Sequence, residues 1–313
     1  MMSNPLEMRR TDATRKPLRV RIHEYRYLYL MLIPAVAAMI IFCYAPMYGI
    51  QIAFKNYKPR SGIWGSQWVG FKYFLRMFRE QTFMTVLRNT LVISGLRLVI
   101  CFPAGVIFAL MLNEIGNQRL KKVAQTISYM PHFVSWVVLG GIVKSLLSLN
   151  GPVNALVKLC GGTPAIWLTK SNYFIPIVLV TDIWKSMGWG SIVYLAAMAG
   201  IPMDQYESAE IDGASRFQRI WYITLPSILP VVMTMFILRI GNIMSAGFDQ
   251  IFNLYSAAVY DVADIIDTYS YRVGLIDNNF SYSAAIGLFK NVLGFALMIA
   301  VNQLTKTTNK HGA

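Results

Sequence analysis

The sequence has little charge. Only 14% of its 313 residues are Asp, Glu, Lys or Arg, against roughly 25% in ordinary soluble domains, while 55% are hydrophobic and the mean hydropathy is +0.46. This composition excludes an ordinary soluble domain and indicates a protein that lies mostly within a membrane. Acidic residues are especially scarce, and the resulting net charge is +14. We attribute that charge to membrane lipid and membrane topology rather than to nucleic acid.

Motifs for catalysis and for cofactors are also missing. The three cysteines, Cys43, Cys101 and Cys160, are odd in number and have no C-x-x-C spacing, so we expect neither a disulfide framework nor a metal site. No G-x-x-x-x-G-K-S/T segment occurs, and such a segment is what holds nucleotide phosphates. We therefore expect no catalytic residue, no metal and no cofactor in this chain.

Long apolar segments are what the sequence does have. A helix needs roughly 20 residues to cross a hydrocarbon layer about 30 Å thick. Hydropathy predicts six such spans, at 28–52, 91–112, 125–149, 174–199, 228–248 and 284–304. The predicted fold class is an all-α integral membrane protein with six transmembrane helices. The first apolar run is too long for a cleaved signal, so we expect it to be retained as a span.

A polar loop, 203–226, separates the fourth and fifth predicted spans. We predict a short acidic helix over 206–211, which Gly213 ends because glycine adopts a left-handed conformation without strain. Ser215 is the expected N-cap of a second short helix, and Pro226 suits the first turn of the next span. Shape alone leaves two interpretations, a docking element or an amphipathic hairpin on lipid headgroups.

The loop sequence, E-S-A-E-I-D-G-A-S-R-F-Q-R-I-W-Y-I-T-L-P, resembles the EAA loop of type I ABC importer permeases. Ser208 replaces the first Ala of the triplet. Further segments, 48–57, 87–90, 128–136, 182–189 and 258–264, resemble the LplB-type branch of that family, whose members transport complex carbohydrates. The loop motif is more specific than these segments, and together they cover most of the chain from residue 27 onward.

The resemblance implies a MetI-like permease fold and a loop that couples to an ATPase. The coupling residues it implies are Glu207, Ala209, Asp212, Gly213, Ala214, Phe217, Leu225 and Pro226. It also implies a second homologous permease, two ATP-binding subunits that hold ATP and Mg, an extracellular solute-binding lipoprotein and a saccharide substrate. The chain itself is then a transport subunit and not an enzyme, in the bacterial cytoplasmic membrane.

Domain boundaries follow from the spans. We expect a cytoplasmic basic segment at 1–27, a transmembrane permease domain at 28–304 and a cytoplasmic tail at 305–313. Lys and Arg are only mildly more frequent in the segments that this arrangement makes cytoplasmic. The coupling loop, which the resemblance makes cytoplasmic, orients the bundle more firmly and gives both termini a cytoplasmic location.

Polar and aromatic residues inside the spans are candidates for the substrate pathway, because ionisable groups in a membrane are costly and often functional. The candidates are Asp182, Trp184, Trp189, Arg239 and Asn242. A structural alternative exists for each: Asp182 could pair with Lys185 one helical turn away, the Trp rings could serve packing, and Arg239 with Asn242 could join two helices. Arg97, near the end of its span, is expected to extend towards the headgroups.

Three aspartates, Asp261, Asp264 and Asp267, recur at helical spacing in a predicted external loop. We expect them to contact the binding protein or to form a solvated helix face. A metal site is the least favoured interpretation, because no second acidic cluster accompanies them.

Two other functions remain open on the sequence. One is an ABC permease for a peptide, an amino acid or an ion, since the coupling loop is shared across those cargoes. The other is a membrane-embedded enzyme or a secondary carrier, which needs intramembrane carboxylates and no ATPase-docking loop. Co-purification with an ATP-binding subunit distinguishes the second.

Overall fold

The computed structural model describes residues 24–310, without the side chains of 302 and 304–310. Most of the predicted segment 1–27 and the end of the predicted tail lie outside the described residues. The chain divides into two compact units, Met1–Gln51 and Ile52–Ala313. The first unit contains the helix Arg26–Met39 and most of the segment 40–54, and the second contains all the other described elements.

The α-helices are α1 (Arg26–Met39), α2 (Gly62–Gly65), α3 (Lys72–Arg79), α4 (Gln81–Leu96), α5 (Phe102–Asn113), α6 (Gln118–Phe133), α7 (Trp136–Leu146), α8 (Pro152–Leu159), α9 (Ser171–Ala199), α10 (Met203–Ile211), α11 (Arg216–Arg219), α12 (Leu225–Gly241), α13 (Phe248–Leu254), α14 (Tyr260–Ala263), α15 (Ile266–Tyr271) and α16 (Phe280–Lys310). The wider π turns are Ile40–Tyr44, Arg97–Cys101, Ile220–Thr224 and Arg272–Ile276, and the 3₁₀ segments are Ala45–Phe54, Trp167–Thr169 and Ala257–Val259. An antiparallel hairpin pairs β1 (Lys55–Lys58) with β2 (Ser66–Trp68), with Lys55 opposite Trp68.

Within residues 24–310, four continuous helices are long and apolar enough to cross a membrane: Arg26–Phe54, Gln81–Asn113, Arg216–Gly241 and Phe280–Val301. A fifth crossing results if α6 and α7, which meet at 103°, form one broken span. The remaining predicted span, the fourth at 174–199, corresponds to α9, whose 29 residues are long enough but include Asp182 and Lys185. The all-α fold class is confirmed. Among the described residues, the crossing by α9 is the one that length and composition alone do not support.

The third predicted span is not one kinked helix. α6 ends at Phe133, Val134 is extended at ψ 133°, and Ser135 caps α7 by accepting a hydrogen bond from the Val138 N–H at 3.4 Å. Pro131 has no N–H to donate, which weakens the last turn of α6. The predicted span is therefore divided into two separate helices.

The α9 helix lies at the centre of the second unit, where it packs against α5, α6 and α12. Gly188 on α9 lies so close to the Ser128 carbonyl of α6 that an added Cβ would overlap it. One apolar cluster joins α5, α9 and α12 through Ala109, Tyr194 and Ile228. The helix that carries Asp182 is thus held against the helix that carries Arg239.

Candidate functional site

The first arm of the coupling loop, 203–226, is α10. Its end is closed by two backbone hydrogen bonds, from the Gly213 N–H to the Glu210 carbonyl at 3.0 Å and from the Ala214 N–H to the Ala209 carbonyl at 2.8 Å. Gly213 has φ +79°. These features form a Schellman motif, which needs a left-handed residue at this position. The predicted helix end is confirmed, although the helix begins at Met203 rather than at residue 206.

The second arm begins at Ser215, as predicted. Its side-chain oxygen accepts from the Gln218 N–H at 3.3 Å, and the Gln218 side chain accepts from the Ser215 N–H at 2.7 Å, which completes a capping box. The second short helix is confirmed as α11, and the π turn that follows joins it to α12, so that Arg216–Gly241 runs on as one continuous helix. The π turn Ile220–Thr224 carries the backbone past Pro226, with Leu225 donating to the Ile220 carbonyl.

Two side-chain bonds join the arms. Arg219 Nη1 lies 2.8 Å from Glu210 Oε2, and the Tyr206 hydroxyl lies 2.8 Å from Thr224 Oγ1. The closed helix end, the capping box and these two bonds restrain the loop at four points. We infer that it moves as a rigid unit with the span that it begins.

The loop exposes large apolar side chains. Ile211 is 87% exposed, Phe217 73% and Tyr222 74%. The Phe217 and Trp221 rings stack with centroids 6.3 Å apart. Contiguous exposed apolar groups mark an interaction surface. Glu207 and Asp212 are also exposed, so the surface combines apolar and acidic groups.

A second group of polar residues lies between α9, α12 and the π turn Arg97–Cys101. We call it the polar cluster, and it consists of Ser94, Arg97, Asp182, Arg239 and Gln250. The Asp182 carboxylate is buried and lies 4.0 Å from Arg239 Nη2. The alternative pairing of Asp182 with Lys185 is not what the structure shows. Two of the five predicted pathway residues are therefore joined as an ion pair between neighbouring helices.

Arg97 belongs to the same cluster, and its predicted extension towards the headgroups is wrong. It is 7% exposed, and its guanidinium donates to the Gln250 side-chain oxygen. Gln250 in turn donates to the Val178 carbonyl and to Thr181 Oγ1 of α9, both at 2.8 Å. The guanidinium lies directly over Gly247, which has φ +85°. Glycine at 247 thus supplies both the turn and the space for Arg97.

Several atoms of the polar cluster have no hydrogen-bond partner within the described chain. They are Ser94 Oγ, Arg97 Nε and Asp182 Oδ2. Ser94, Arg97 and Arg239 line a cavity of about 20 Å³, which is room for one water-sized group. Asn242 lines the same cavity, but its amide donates to the Leu238 carbonyl of its own helix at 3.3 Å.

Lys185 binds the exposed backbone carbonyls at the break between α6 and α7. Its ammonium donates to the carbonyls of Pro131 at 3.3 Å and His132 at 3.1 Å, and also to that of Val134. It lies 5.3 Å from the centre of the Trp136 ring. A cation at the C-terminal end of a helix satisfies carbonyls that would otherwise be orphaned.

The two candidate tryptophans have different surroundings. The Trp189 ring stacks on His132 with centroids 4.6 Å apart. Trp184 lies in a groove of about 360 Å³ whose lining is apolar apart from Thr181. Trp189 is therefore engaged in packing, while Trp184 faces a surface that offers no hydrogen bonds to a sugar.

The three aspartates are mostly internal. Asp264 is 2% exposed and forms an ion pair with Arg272. Asp267 Oδ1 lies 2.5 Å from Lys290 Nζ. Burial alone lowers the pKa of Arg272, but its hydrogen bond to Asp264 and the charge of that carboxylate raise it above its usual value. The predicted contact of Asp264 with the binding protein or with solvent is wrong, because its carboxylate is buried and paired with Arg272. Asp261 is exposed and accepts from the Ser171 hydroxyl at 2.9 Å.

The roles of Gln250 and Gly247 and the buried position of Arg97 were not predicted from the sequence. A Gln in a segment predicted to be external carries no local signal that it bonds to an arginine 153 positions earlier. An arginine inside an apolar stretch is such a signal, since it needs a partner there.

A helical membrane bundle with a polar centre and a structured loop that exposes apolar side chains has the features of a transport subunit. The family model for binding-protein-dependent transport system inner membrane components matches residues 102–310. The chain belongs to this family.

Two similar proteins come from Bacillus subtilis (strain 168). The polygalacturonan/rhamnogalacturonan transport system permease protein YteP is 42% identical over 299 residues, which is 95% of this chain and 93% of that protein. Protein LplB is 42% identical over 288 residues, which is 92% of this chain and 91% of that one.

A solved structure is also similar. It is a crystal structure of a bacterial ABC transporter involved in the import of the acidic polysaccharide alginate. The chain matches it with a TM-score of 0.86 and 38% identity, covering 93% of this chain and 98% of that one. The permease fold that the resemblance implied is thereby confirmed.

Proposed function

We propose that this chain forms half of the translocation pathway of an ATP-driven importer for an oligosaccharide or polysaccharide. Support comes from the polysaccharide cargoes named for YteP and for the alginate transporter. The alternative is a permease for a non-sugar solute, because the coupling loop is shared with such permeases.

The coupling loop is the proposed docking site for an ATP-binding subunit. Its exposed Phe217 and Trp221 fit an apolar cleft, and the acidic groups of Glu207 and Asp212 suit basic partners at its rim. Two such subunits would hold ATP and Mg. This proposal makes the loop and both termini cytoplasmic.

The span Arg216–Gly241 is the proposed transmission element. Arg239 lies 23 residues after Arg216, or about 35 Å along a helix that rises 1.5 Å per residue. Because the loop is rigid, closure of the ATP-binding subunits would displace the whole helix. That displacement would open or close the contact between Arg239 and Asp182, as a two-state change requires.

The polar cluster is the proposed lining of the pathway. Its atoms without partners would be satisfied by water or by hydroxyl groups of the cargo. Asp182 and Arg239 have this role most directly, and Asn242 borders the same cavity. We assign packing rather than sugar contact to Trp184 and Trp189, given their surroundings.

The remaining partners are a second, homologous permease and an extracellular solute-binding lipoprotein. One solved complex of the alginate transporter contains a periplasmic protein with a bound alginate pentasaccharide. Of the three aspartates, only the exposed Asp261 is kept as a candidate for contact with the binding protein.

The observation that carries the proposal is the continuity of the rigid coupling loop with the span that bears Arg239. The test is to purify the chain with its associated subunits and measure ATP-dependent uptake into proteoliposomes. We expect an ATP-binding subunit to co-purify and labelled oligosaccharides to enter only with ATP. Uptake of saccharide by the chain alone, without any ATP-binding subunit, would contradict the proposal.

A further inference from the structure

The helix α3 has three faces, which follow from its 3.6 residues per turn. Tyr73 and Met77 form the buried face, at 8% and 0% exposure. Phe71, just before the helix, with Leu75 and Phe78 forms an exposed apolar face, each residue more than half exposed. The basic face lies beside it and consists of Lys72, Arg76 and Arg79, all exposed.

The hairpin next to α3 extends the apolar face with aromatic rings. Trp68 is 60% exposed and stacks on Phe54 with centroids 5.7 Å apart. Phe71 meets the same Phe54 ring edge-on at 5.4 Å. Trp64, between the strands, is 83% exposed. Exposed tryptophans at the end of a membrane span are typical of the interface between hydrocarbon and headgroups.

A groove of about 710 Å³ runs between the apolar and basic faces and is lined by side chains of both. Arg76 is held 4.4 Å above the Tyr282 ring and 3.7 Å from Glu80. Glu80 also accepts the Tyr282 hydroxyl, so the one acidic residue in the groove is already engaged. Lys72 and Arg79 are the cations that the groove offers to a ligand.

The position of the groove indicates which ligand it meets. α4, the start of the span Gln81–Asn113, begins two residues after Arg79, and α3 packs against α16, which contains the span Phe280–Val301. The groove therefore lies at the end of two spans, where the headgroup layer is expected. A cationic face beside an apolar face is the pattern of a helix that lies in the membrane interface.

We propose that α3 and the hairpin form a docking surface for anionic phospholipid, with Lys72 and Arg79 on the headgroup phosphate and Phe71, Leu75 and Trp68 against the start of the acyl chains. The exposed apolar face favours lipid over a soluble acidic partner, which would leave those side chains in water. This surface is separate from the coupling loop and does not depend on the cargo.

The test uses the full chain in vesicles that contain brominated phosphatidylglycerol or brominated phosphatidylcholine at equal mole fraction. Bromine quenches tryptophan fluorescence on contact, and a Trp64→Phe, Trp68→Phe variant identifies the part of the signal that comes from the hairpin. We expect a preference for phosphatidylglycerol of roughly thirtyfold from two cations near an anionic surface. The preference should fall at high salt.

The variant K72Q/R79Q should lose the preference, because it removes both cations and leaves Arg76 on Tyr282. The matched control is K158Q/K170Q, which removes the same charge from exposed positions elsewhere and should keep the preference. Equal quenching by the two lipids in the unaltered chain would overturn the proposal. So would a preference that survives in K72Q/R79Q while binding of an acidic saccharide or of the binding protein is lost, since the surface would then belong to that partner.

Discussion

The coupling loop and the polar cluster satisfy their polar groups in different ways. In the loop, each bond that restrains the chain joins residues no more than 18 positions apart, such as Tyr206 with Thr224. In the cluster, the bonds join distant parts of the chain, as Arg97 with Gln250, and atoms of Ser94, Arg97 and Asp182 lack partners. We therefore expect the loop to keep one conformation, whereas the side chains of the polar cluster can break their contacts and form others.

This difference assigns the two regions to different parts of a transport cycle. A rigid loop transmits displacement without absorbing it. An ion pair at 4.0 Å with an unsatisfied oxygen on Asp182 is a contact that a small displacement can make or break. Changing the loop should thus affect coupling and spare stability, whereas changing the cluster should affect both.

The largest effect is expected from Gly213→Pro in the loop. Proline fixes φ near −65°, whereas Gly213 has φ +79°, so the two arms would lose their fixed angle. We expect the protein to remain in the membrane, with ATP-dependent uptake in proteoliposomes reduced at least a hundredfold. Gly213→Asn is the control, because Asn tolerates the left-handed region. Normal uptake in the proline variant would remove the loop from coupling.

A somewhat smaller effect is expected from breaking the ion pair in the cluster. Asp182→Asn leaves Arg239 without its counter-charge, and because the Arg239 side chain is 49% exposed the lost pair contributes about 0.2–1 kcal/mol. Uptake should fall roughly tenfold, and thermal unfolding should occur at a lower temperature. The double variant D182N/R239Q should be no worse than the single one, since the two changes remove one interaction. Strictly additive losses would show that the two residues act independently.

The next effect tests the space beneath Arg97. Gly247→Ala should displace the guanidinium and strain the turn at φ +85°, at a cost of roughly 1–3 kcal/mol in the free energy of unfolding. Its control is Gly141→Ala on α7, where an added Cβ meets no other atom within 4 Å and helix propensity improves. Thermal denaturation in detergent measures both. Equal stability of the two variants would refute the close contact with Arg97.

The smallest effect is expected from Arg219→Gln, which removes the 2.8 Å bond to Glu210 between the arms. Glu210 is largely exposed, and exposed ion pairs contribute about 0.2–1 kcal/mol. Uptake should fall only about twofold, because the Schellman motif, the capping box and the Tyr206–Thr224 bond remain. A loss as large as that of the proline variant would mean that the salt bridge, not the backbone, fixes the loop.

The two regions also differ in what the sequence reveals. Gly213 and the Ser215–Gln218 capping box are local signals, and the structure places the helix end and the helix start where they indicate. The continuity of Arg216–Gly241 was missed because Pro226 suggested a new helix, and the π turn that accommodates it has no composition signal. The spacing of Asp182 and Lys185 favoured an ion pair between them. In the folded protein Asp182 contacts Arg239 of α12, whereas Lys185 contacts carbonyls at the end of α6.

The central claim is that the span Arg216–Gly241 carries motion from the coupling loop to Asp182 and Arg239. It is tested most directly by electron–electron distance measurement between spin labels at Leu238→Cys and Val180→Cys, both more than half exposed, in an importer whose native cysteines are replaced. The account predicts that the distance changes when ATP is bound in the otherwise unaltered protein and stays constant in Gly213→Pro. A nucleotide-dependent change of the same size in the proline variant, or none in either protein, would contradict it.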